Sequence, residues 1–327
     1  MSSKIFFALL FWGTILMWSC KSDNSSGGSS AQKPAPTITV PAFNRDSAFA
    51  YVQRQVEFGP RNLGSNGHAA CKEWIVSKLN EFGAEVSEQN FTAELYTGES
   101  FPATNILAYI NPSQERRIVL AAHWDTRHIA EKDPDSARKD KPILGADDGA
   151  SGVAVLLELA RTLQANPIDL GVDLVFFDAE DHGDNNGQSD TWCLGSQYWA
   201  RNLSANRRPQ YGILLDMVGS KGATFPKEAI SINFANSTVE KVWSLASSMG
   251  YGHYFVNTKV AGLTDDHLFV NRLAGLPMID IINHTGSGFG HYHHTQGDDM
   301  DVIDRSTLRV VGQVMTALLY QESVQAL

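Results

Sequence analysis

Beyond residue 43, apolar and polar positions change period several times, and each change marks an element. Residues 48–59, AFAYVQRQVEFG, repeat apolar positions at helical spacing and close on glycine. Residues 68–83, HAACKEWIVSKLNEFG, do so again, with Ala70, Trp74, Ile75, Val76, Leu79 and Phe82 on the apolar side. The turn-rich GPRNLGSNG lies between them. RIVLAAHWD (117–125) is a continuous apolar run of the kind a strand buried on both faces shows. ASGVAVLLELARTLQAN (150–166) reads as a helix, then GVDLVFFDAE (171–180), YGILLDMVG (211–219) and LPMIDIINH (276–284) as strands. STLRVVGQVMTALLYQESVQAL (306–327) closes the chain as a helix. Strands alternating with helices predict a single α/β domain over 43–327, with a central mixed, mainly parallel sheet covered by helices on both faces. In such sheets the working loops gather beyond the carboxyl ends of the strands.

The first 42 residues follow another pattern. Lys4 precedes an unbroken apolar run, Ile5–Trp18, of 14 residues. That is short of the roughly 20 a spanning helix needs and suits an export signal. The run ends at Ser19-Cys20, with bulky Trp18 one step upstream. Residues 1–20 are therefore expected to be a signal peptide cleaved before Cys20, whose thiol takes a lipid. An ordinary secretory signal with an incidental cysteine is the alternative. Residues 21–42 are Ser/Gly-rich and then Pro-rich, a flexible linker. The expected location is periplasmic or cell-surface, held to the membrane by lipid, with a monomer as the default state.

Composition narrows the class. Apolar residues make up 43% and charged residues 19%, as in a folded globular chain. A net charge of −10 provides no basic stripe for nucleic acid. Only Cys71 and Cys193 remain beyond Cys20. They form no disulfide framework, and Cys71 on an amphipathic helix is expected to be a buried thiol.

The candidate chemistry lies at the predicted strand ends. HWD carries His123 and Asp125, GADDGASG carries Asp147 and Asp148, and DAED carries Asp178, Glu180 and Asp181. LLDMVG adds Asp216, and HYHHTQGDD adds His291, His293, His294, Asp298 and Asp299. Asp280 and His284 end the last strand. An oxygen- and imidazole-rich set without cysteine favours zinc held by carboxylate and histidine. Each piece also has a plain structural reading. Asp147 and Asp148 suit a helix start, and HYHH suits a solvated loop. His182 and Asp184 are expected in an exposed loop, and EKDPDSARKDKP (131–142) as a charged surface insertion. Arg61 is expected to pair an acidic group beneath the site. GSGFGHYHH, with Phe289 and Tyr292, would form a wall over the substrate.

Taken in order, FGPRNLGSNGH, GADDGASGVAVLLELAR, VFFDAED, WCLGSQYWA, LLDMVGSKGATFP and DDHLFV resemble the zinc-dependent M28 exopeptidase family, and more closely its glutaminyl-peptide cyclotransferase branch. The resemblance covers residue 43 to the C-terminus. It implies one zinc ion on Asp148, Asp181 and His294, with Glu180 as the catalytic proton carrier. Asp216 and Asp265 match two further pocket carboxylates. Asp265 leans toward the cyclase side, because hydrolytic relatives usually carry a small residue there. His123 matches a ligand of the second zinc in the aminopeptidases that binds no metal in the cyclases. Two positions depart from the animal cyclases: Asp181 stands where they carry Glu, and His293 where they carry Trp. Trp192, Phe289 and His293 are the expected pocket walls.

The activity implied is cyclisation of an N-terminal glutamine to pyroglutamate with release of ammonia, on peptide or protein substrates. A di-zinc aminopeptidase using His123, Asp148, Asp181, Asp216 and His294 is the rival, since every ligand type it needs is present. A binding protein on a degenerate enzyme scaffold is a third reading, opposed by the intact Glu180.

Overall fold

The computed structural model describes residues 39–324. The expected signal peptide and lipid-bearing Cys20, and most of the expected linker, lie outside the described residues. The linker ends slightly earlier than expected. Val40 already packs on the core, and the Pro41 carbonyl accepts a hydrogen bond from Gln313 Nε2 at 3.1 Å.

Asn44 caps α1 (Arg45–Glu57), accepting the amide hydrogens of Asp46 and Ser47 at 3.1 Å each. Ser65 caps α2 (Asn66–Glu81) by accepting from the His68 amide at 3.0 Å. Cys71, Ile75 and Leu79 form the buried stripe of α2, four residues apart. Ala70, expected among them, is exposed. Then come β1 (Glu85–Glu94), β2 (Ser100–Ile110), β3 (Arg117–His123), α3 (Ala150–Ala165), β4 (Gly171–Phe177), α4 (Leu194–Arg201) and β5 (Gly212–Asp216). The chain continues through β6 (Phe225–Glu228), α5 (Ala229–Ser248), β7 (Phe255–Val260), the short α6 (Asp266–Phe269), β8 (Met278–Ile282) and α7 (Arg305–Val324).

Six strands form one sheet in the order β1-β2-β4-β3-β5-β8. β4, β3, β5 and β8 run parallel, while β2 pairs antiparallel with both β4 and β1. Alternate side chains of a strand face opposite sides, and two cores result. Ile118, Leu120 and Ala122 of β3 point into a large core with α1, α3 and α7. Val119 and Ala121 point into a smaller one closed by α4, Val270 and Leu276. Helical segments thus cover both faces of a mixed, mainly parallel sheet, as the apolar runs predict.

The elements those runs do not mark are the β1–β2 hairpin, the β6–β7 pair, α4, α5 and the short α6. β1 is exposed or half-buried along nearly its whole length, so it lacks a continuous apolar stretch. In contrast, every residue of β3, β4, β5 and β8 is buried. These four parallel strands bring their carboxyl ends to one edge, where His123 pairs in register with Phe177, and Asp216 with Ile282. α3 is drawn close to this edge because Gly152 has no side chain. A Cβ there would sit 2.2 Å from the Leu215 carbonyl oxygen.

Candidate active site

The acidic run 178–184 divides its members between support and chemistry. Asp178 is fully buried, lies 2.9 Å from His68 Nε2 and accepts the Thr104 amide at 2.7 Å, so it ties β4 to its surroundings. Ala179 then adopts a left-handed backbone, φ 55°. The turn it makes is held by Asp125, whose two oxygens accept the amide hydrogens of Glu180 and Asp181 at 3.1 Å each. Past this turn the two side chains part. Glu180 Oε1 accepts from the Cys193 thiol at 3.4 Å, whereas Asp181 Oδ1 lies 3.3 Å from His294 Nε2.

Asp148 arrives from the N-terminus of α3. The amide hydrogens of Asp147 and Asp148 donate to Asp298 at 2.8 and 3.1 Å, so Asp298 positions the helix start. Asp147 is held by the Gly219 amide and the Tyr292 hydroxyl. Asp148 is left to face the site, with Oδ1 3.1 Å from His123 Nε2 and Oδ2 3.7 Å from His294 Nε2. Donors of a tetrahedral zinc bound at about 2.0–2.1 Å stand about 3.3 Å from one another. The His294–Asp181 and His294–Asp148 separations match that edge. Both carboxylate oxygens of Asp181 are buried without a hydrogen-bond donor, as a residue reserved for a cation would be. The expected donors Asp148, Asp181 and His294 thus suit zinc in type and in their spacing about His294, while the three residues here whose ligand atoms all lie within 4.8 Å of one another are Asp148, His293 and His294. His293 Nε2 also stands 3.7 Å from Asp148 Oδ2. A second cluster, His123, Asp148 and Asp216, offers three close ligand atoms as well.

Left-handed backbone outside glycine occurs at five described residues, and four of them adjoin this site: Ala179, Cys193, Met217 and His294. Such conformations carry strain and collect where side chains must be aimed.

The electrostatics reflect an excess of buried carboxyls. Burial pushes Glu180 well above the ordinary carboxyl range; His123 pulls it back, and Asp181, Asp265 and Asp266 push it further up. Burial likewise raises Asp216 to about 8, against a hydrogen bond with His123 and with Asp265 adding repulsion. Asp265 rises for the same first reason. Burial also works against the charge of Asp148, yet the His123 contact overrides it and holds that carboxyl below its usual range. His294 resists the lowering effect of burial and reaches about 9 beside Asp181 and Glu131.

All nine expected site residues border one cavity of about 280 Å³: Asp148, Asp181 and His294, the carboxyls Glu180, Asp216 and Asp265, and the walls Trp192, Phe289 and His293. One wall is a continuous stack. Arg127 lies 4.6 Å over Trp192; Trp192 is parallel to His294 at 6.2 Å; His294 stacks on His293 at 3.8 Å; and His293 stacks on Phe289 at 4.3 Å. Trp192 donates to the Asp184 carbonyl at 3.1 Å and rests on Gly183, where a Cβ would fall 2.0 Å from its ring. Asp265 caps α6 through one oxygen, and its other oxygen is buried without a partner.

Several expectations need correction. His182 is buried, not exposed, stacked on His128 and 3.4 Å from Asp125. Asp184 is half-buried and supports Trp192. Arg61 pairs no acid: its guanidinium donates to the carbonyls of Trp124, Leu144 and Gly145. The insertion 131–142 is solvated only in part, because Glu131 contacts His294 Nδ1 at 2.7 Å and Lys132 borders the cavity. His291 and Asp299 stand outside this cavity, and Asp299 caps the turn Met300–Val302. Cys71 and Cys193 are both free and buried, so they do not pair. Burial pushes the Cys71 thiol up to about 12. Glu131, Lys132, Asn185 and Cys193 had no local signal, since each gains its meaning from a partner distant in the chain.

Comparison with known proteins places the chain in a family. Residues 105–319 match the model of Peptidase family M28. A solved glutaminyl cyclase of Tannerella forsythia is 48% identical, covering 86% of this chain and 99% of that one, with a TM-score of 0.83. A Zn-dependent exopeptidase of Parabacteroides distasonis is 45% identical over the same shares, with a TM-score of 0.84. The glutaminyl-peptide cyclotransferase of Bos taurus is 26% identical over 301 residues, covering 80% of this chain and 78% of its own length. With a matched segment running from β2 into α7 and a zinc-compatible donor set at the ends of the parallel strands, the chain belongs to peptidase family M28.

Proposed function

We propose that the chain is a zinc-dependent glutaminyl-peptide cyclotransferase, acting on peptides or proteins with N-terminal glutamine. The observation that carries this reading beyond the family is the third carboxyl. Asp265 borders the same cavity as Glu180, with an unpaired buried oxygen and a ligand atom within 4.8 Å of both Glu180 and Cys193. An acceptor there suits the free α-amine of an N-terminal residue, and the 48% identity to a solved glutaminyl cyclase supports cyclisation over hydrolysis of that residue.

The reaction forms a bond between the α-amine nitrogen and the side-chain amide carbon and breaks the bond from that carbon to the amide nitrogen, which leaves as ammonia. Zinc, when bound, supplies Lewis-acid polarisation of the amide carbonyl. Asp148, Asp181 and His294 would hold a single ion. Glu180, kept protonatable by burial, takes the proton of the attacking amine and returns it to the departing nitrogen. Asp265 and Asp216 accept hydrogen bonds from the amine and amide nitrogens. The Trp192–His294–His293–Phe289 stack excludes water from one side and limits the conformations of the folded glutamine. Such orientation lowers intramolecular barriers by up to about 7–11 kcal/mol.

His123, Asp148 and Asp216 form the basis for a second reading, a di-zinc aminopeptidase, because their ligand atoms are close enough to share an ion. Incubation with Gln-X and Leu-X peptides separates the two. Ammonia without free amino acid, at one zinc per chain, supports the cyclase; free leucine at two zinc per chain overturns it. The sequence of residues 1–20 supports export with lipid attached to Cys20, and a monomer is proposed. Metabolic labelling with a radioactive fatty acid, lost in Cys20→Ser, tests the anchor.

A further inference from the structure

Two adjacent imidazoles, His293 and His294, both stand 3.7 Å from Asp148 Oδ2 through Nε2, and His294 Nε2 also lies 3.3 Å from Asp181 Oδ1. Their outer nitrogens differ as well. His294 Nδ1 lies 2.7 Å from Glu131 Oε1. His293 Nδ1 lies 2.7 Å from Lys132 Nζ. We infer that the neighbouring pair Glu131–Lys132 sets opposite tautomers on the neighbouring pair His294–His293, and thereby selects His294 as the metal ligand and bars His293. The inference rests on the zinc reading above.

The reasoning is donor and acceptor accounting. An ionised carboxylate only accepts, so His294 must keep its proton on Nδ1; with zinc bound it is the Nε2 proton, between Asp148 and Asp181, that would give way, and the lone pair would face the ion. An ammonium only donates, so His293 must present its lone pair at Nδ1, which places the proton on Nε2. A protonated Nε2 cannot bind a metal. It gives the cavity an N–H donor on the Asp148 side instead. The second shell commonly fixes ligand orientation in this way, through a carboxylate on the outer nitrogen.

The segment is built to keep this pairing. The Lys132 amide donates to the His294 carbonyl at 3.2 Å, which aligns residues 131–132 with 293–294. Glu131 is braced by Arg127 Nε at 3.3 Å and by Asn185 Nδ2 at 2.8 Å. His294 has left-handed backbone, φ 56°, and its ring lies stacked on that of His293 at 3.8 Å. Glu131 and Lys132 are positioning residues: they act through the histidines.

The test uses the zinc-loaded full chain, with zinc affinity measured by chelator competition and imidazole tautomers read from long-range proton–nitrogen NMR of histidine-labelled protein. In the wild type, His294 is expected to be Nδ1-protonated and His293 Nε2-protonated. Glu131→Ala should weaken zinc about 10–100-fold. Glu131→Gln, which keeps a neutral acceptor, should fall between the two and serves if the alanine variant does not fold. Lys132→Met should release His293 into a mixture of tautomers. His294→Ala should abolish zinc binding, whereas His293→Ala should leave it within a few-fold. An Nδ1-protonated His293 in the wild type, or equal losses of zinc in the two histidine variants, overturns the inference. So does unchanged zinc affinity in both Glu131 variants. A wild type that binds no zinc removes the zinc reading together with this one, whereas normal zinc binding with the wrong tautomers removes this one alone.

Discussion

Replacing Asp125 with asparagine tests whether the catalytic turn is held from behind by one carboxylate. Asp125 is fully buried, and its two oxygens take the backbone hydrogens of Glu180 and Asp181 at 3.1 Å each. Asparagine has the same outline but offers one acceptor and one amino group. One of the two amides then faces a donor and loses its partner in a site that water does not reach. An unsatisfied buried donor costs about 1–3 kcal/mol, and the surviving bond loses its charge assistance, about 1 kcal/mol more. The sum, about 2–4 kcal/mol, corresponds to a Tm lower by about 3–7 °C in a chain of this size. The turn also aims both Glu180 and Asp181, and a displacement of about 1 Å at a reacting group costs roughly a hundredfold in rate. Thermal unfolding in excess zinc should show the loss of stability. Ammonia release from a Gln-X peptide should show kcat falling at least tenfold beyond it, measured well below the new Tm. An Asp125→Asn protein with Tm within 1 °C and kcat/KM within twofold of the wild type would refute the reasoning.

Other outcomes are expected from the same geometry. Glu180→Gln should retain zinc while ammonia release falls about 10²–10⁴-fold, the range lost with a general acid–base group; full activity would remove Glu180 from the mechanism. Gly183→Ala should unseat Trp192, whose ring lies 2.0 Å from the added Cβ, costing about 1–3 kcal/mol in chemical denaturation and raising KM. In chelator-treated protein, stability should fall as pH rises from about 6 to 9. Asp216, raised to about 8 chiefly by burial, holds a proton in the folded state that the unfolded chain has released above about pH 4. His294, raised to about 9, acts in the same direction, its contribution being complete below about 6.5 and lost as pH passes its folded value. Denaturant midpoints that rise over this range would contradict the assignment. Zinc at a hundred times its Kd should add about 2.7 kcal/mol to unfolding and restore the midpoint.

Local pattern alone determined the helices α1, α2, α3 and α7 and the four parallel strands, because burial on one or both faces leaves a period in the chain that composition records. It also placed His123, Glu180, Asp181 and Asp216 at strand ends, where parallel strands must deliver them to one edge. The β1–β2 hairpin left little trace, since a strand with mostly exposed side chains has no apolar stretch to detect. Only the tertiary structure decided how the acids divide their work. Asp125, Asp178 and Asp298 look like ligands in the sequence, yet they spend their oxygens on backbone hydrogens or on His68. Glu131 and Lys132 look like surface charge, yet they reach His294 and His293, more than 160 residues away. The reason is physical: periodicity reports the environment of one element, whereas the role of a polar side chain is set by the donor or acceptor that folding brings within about 3 Å.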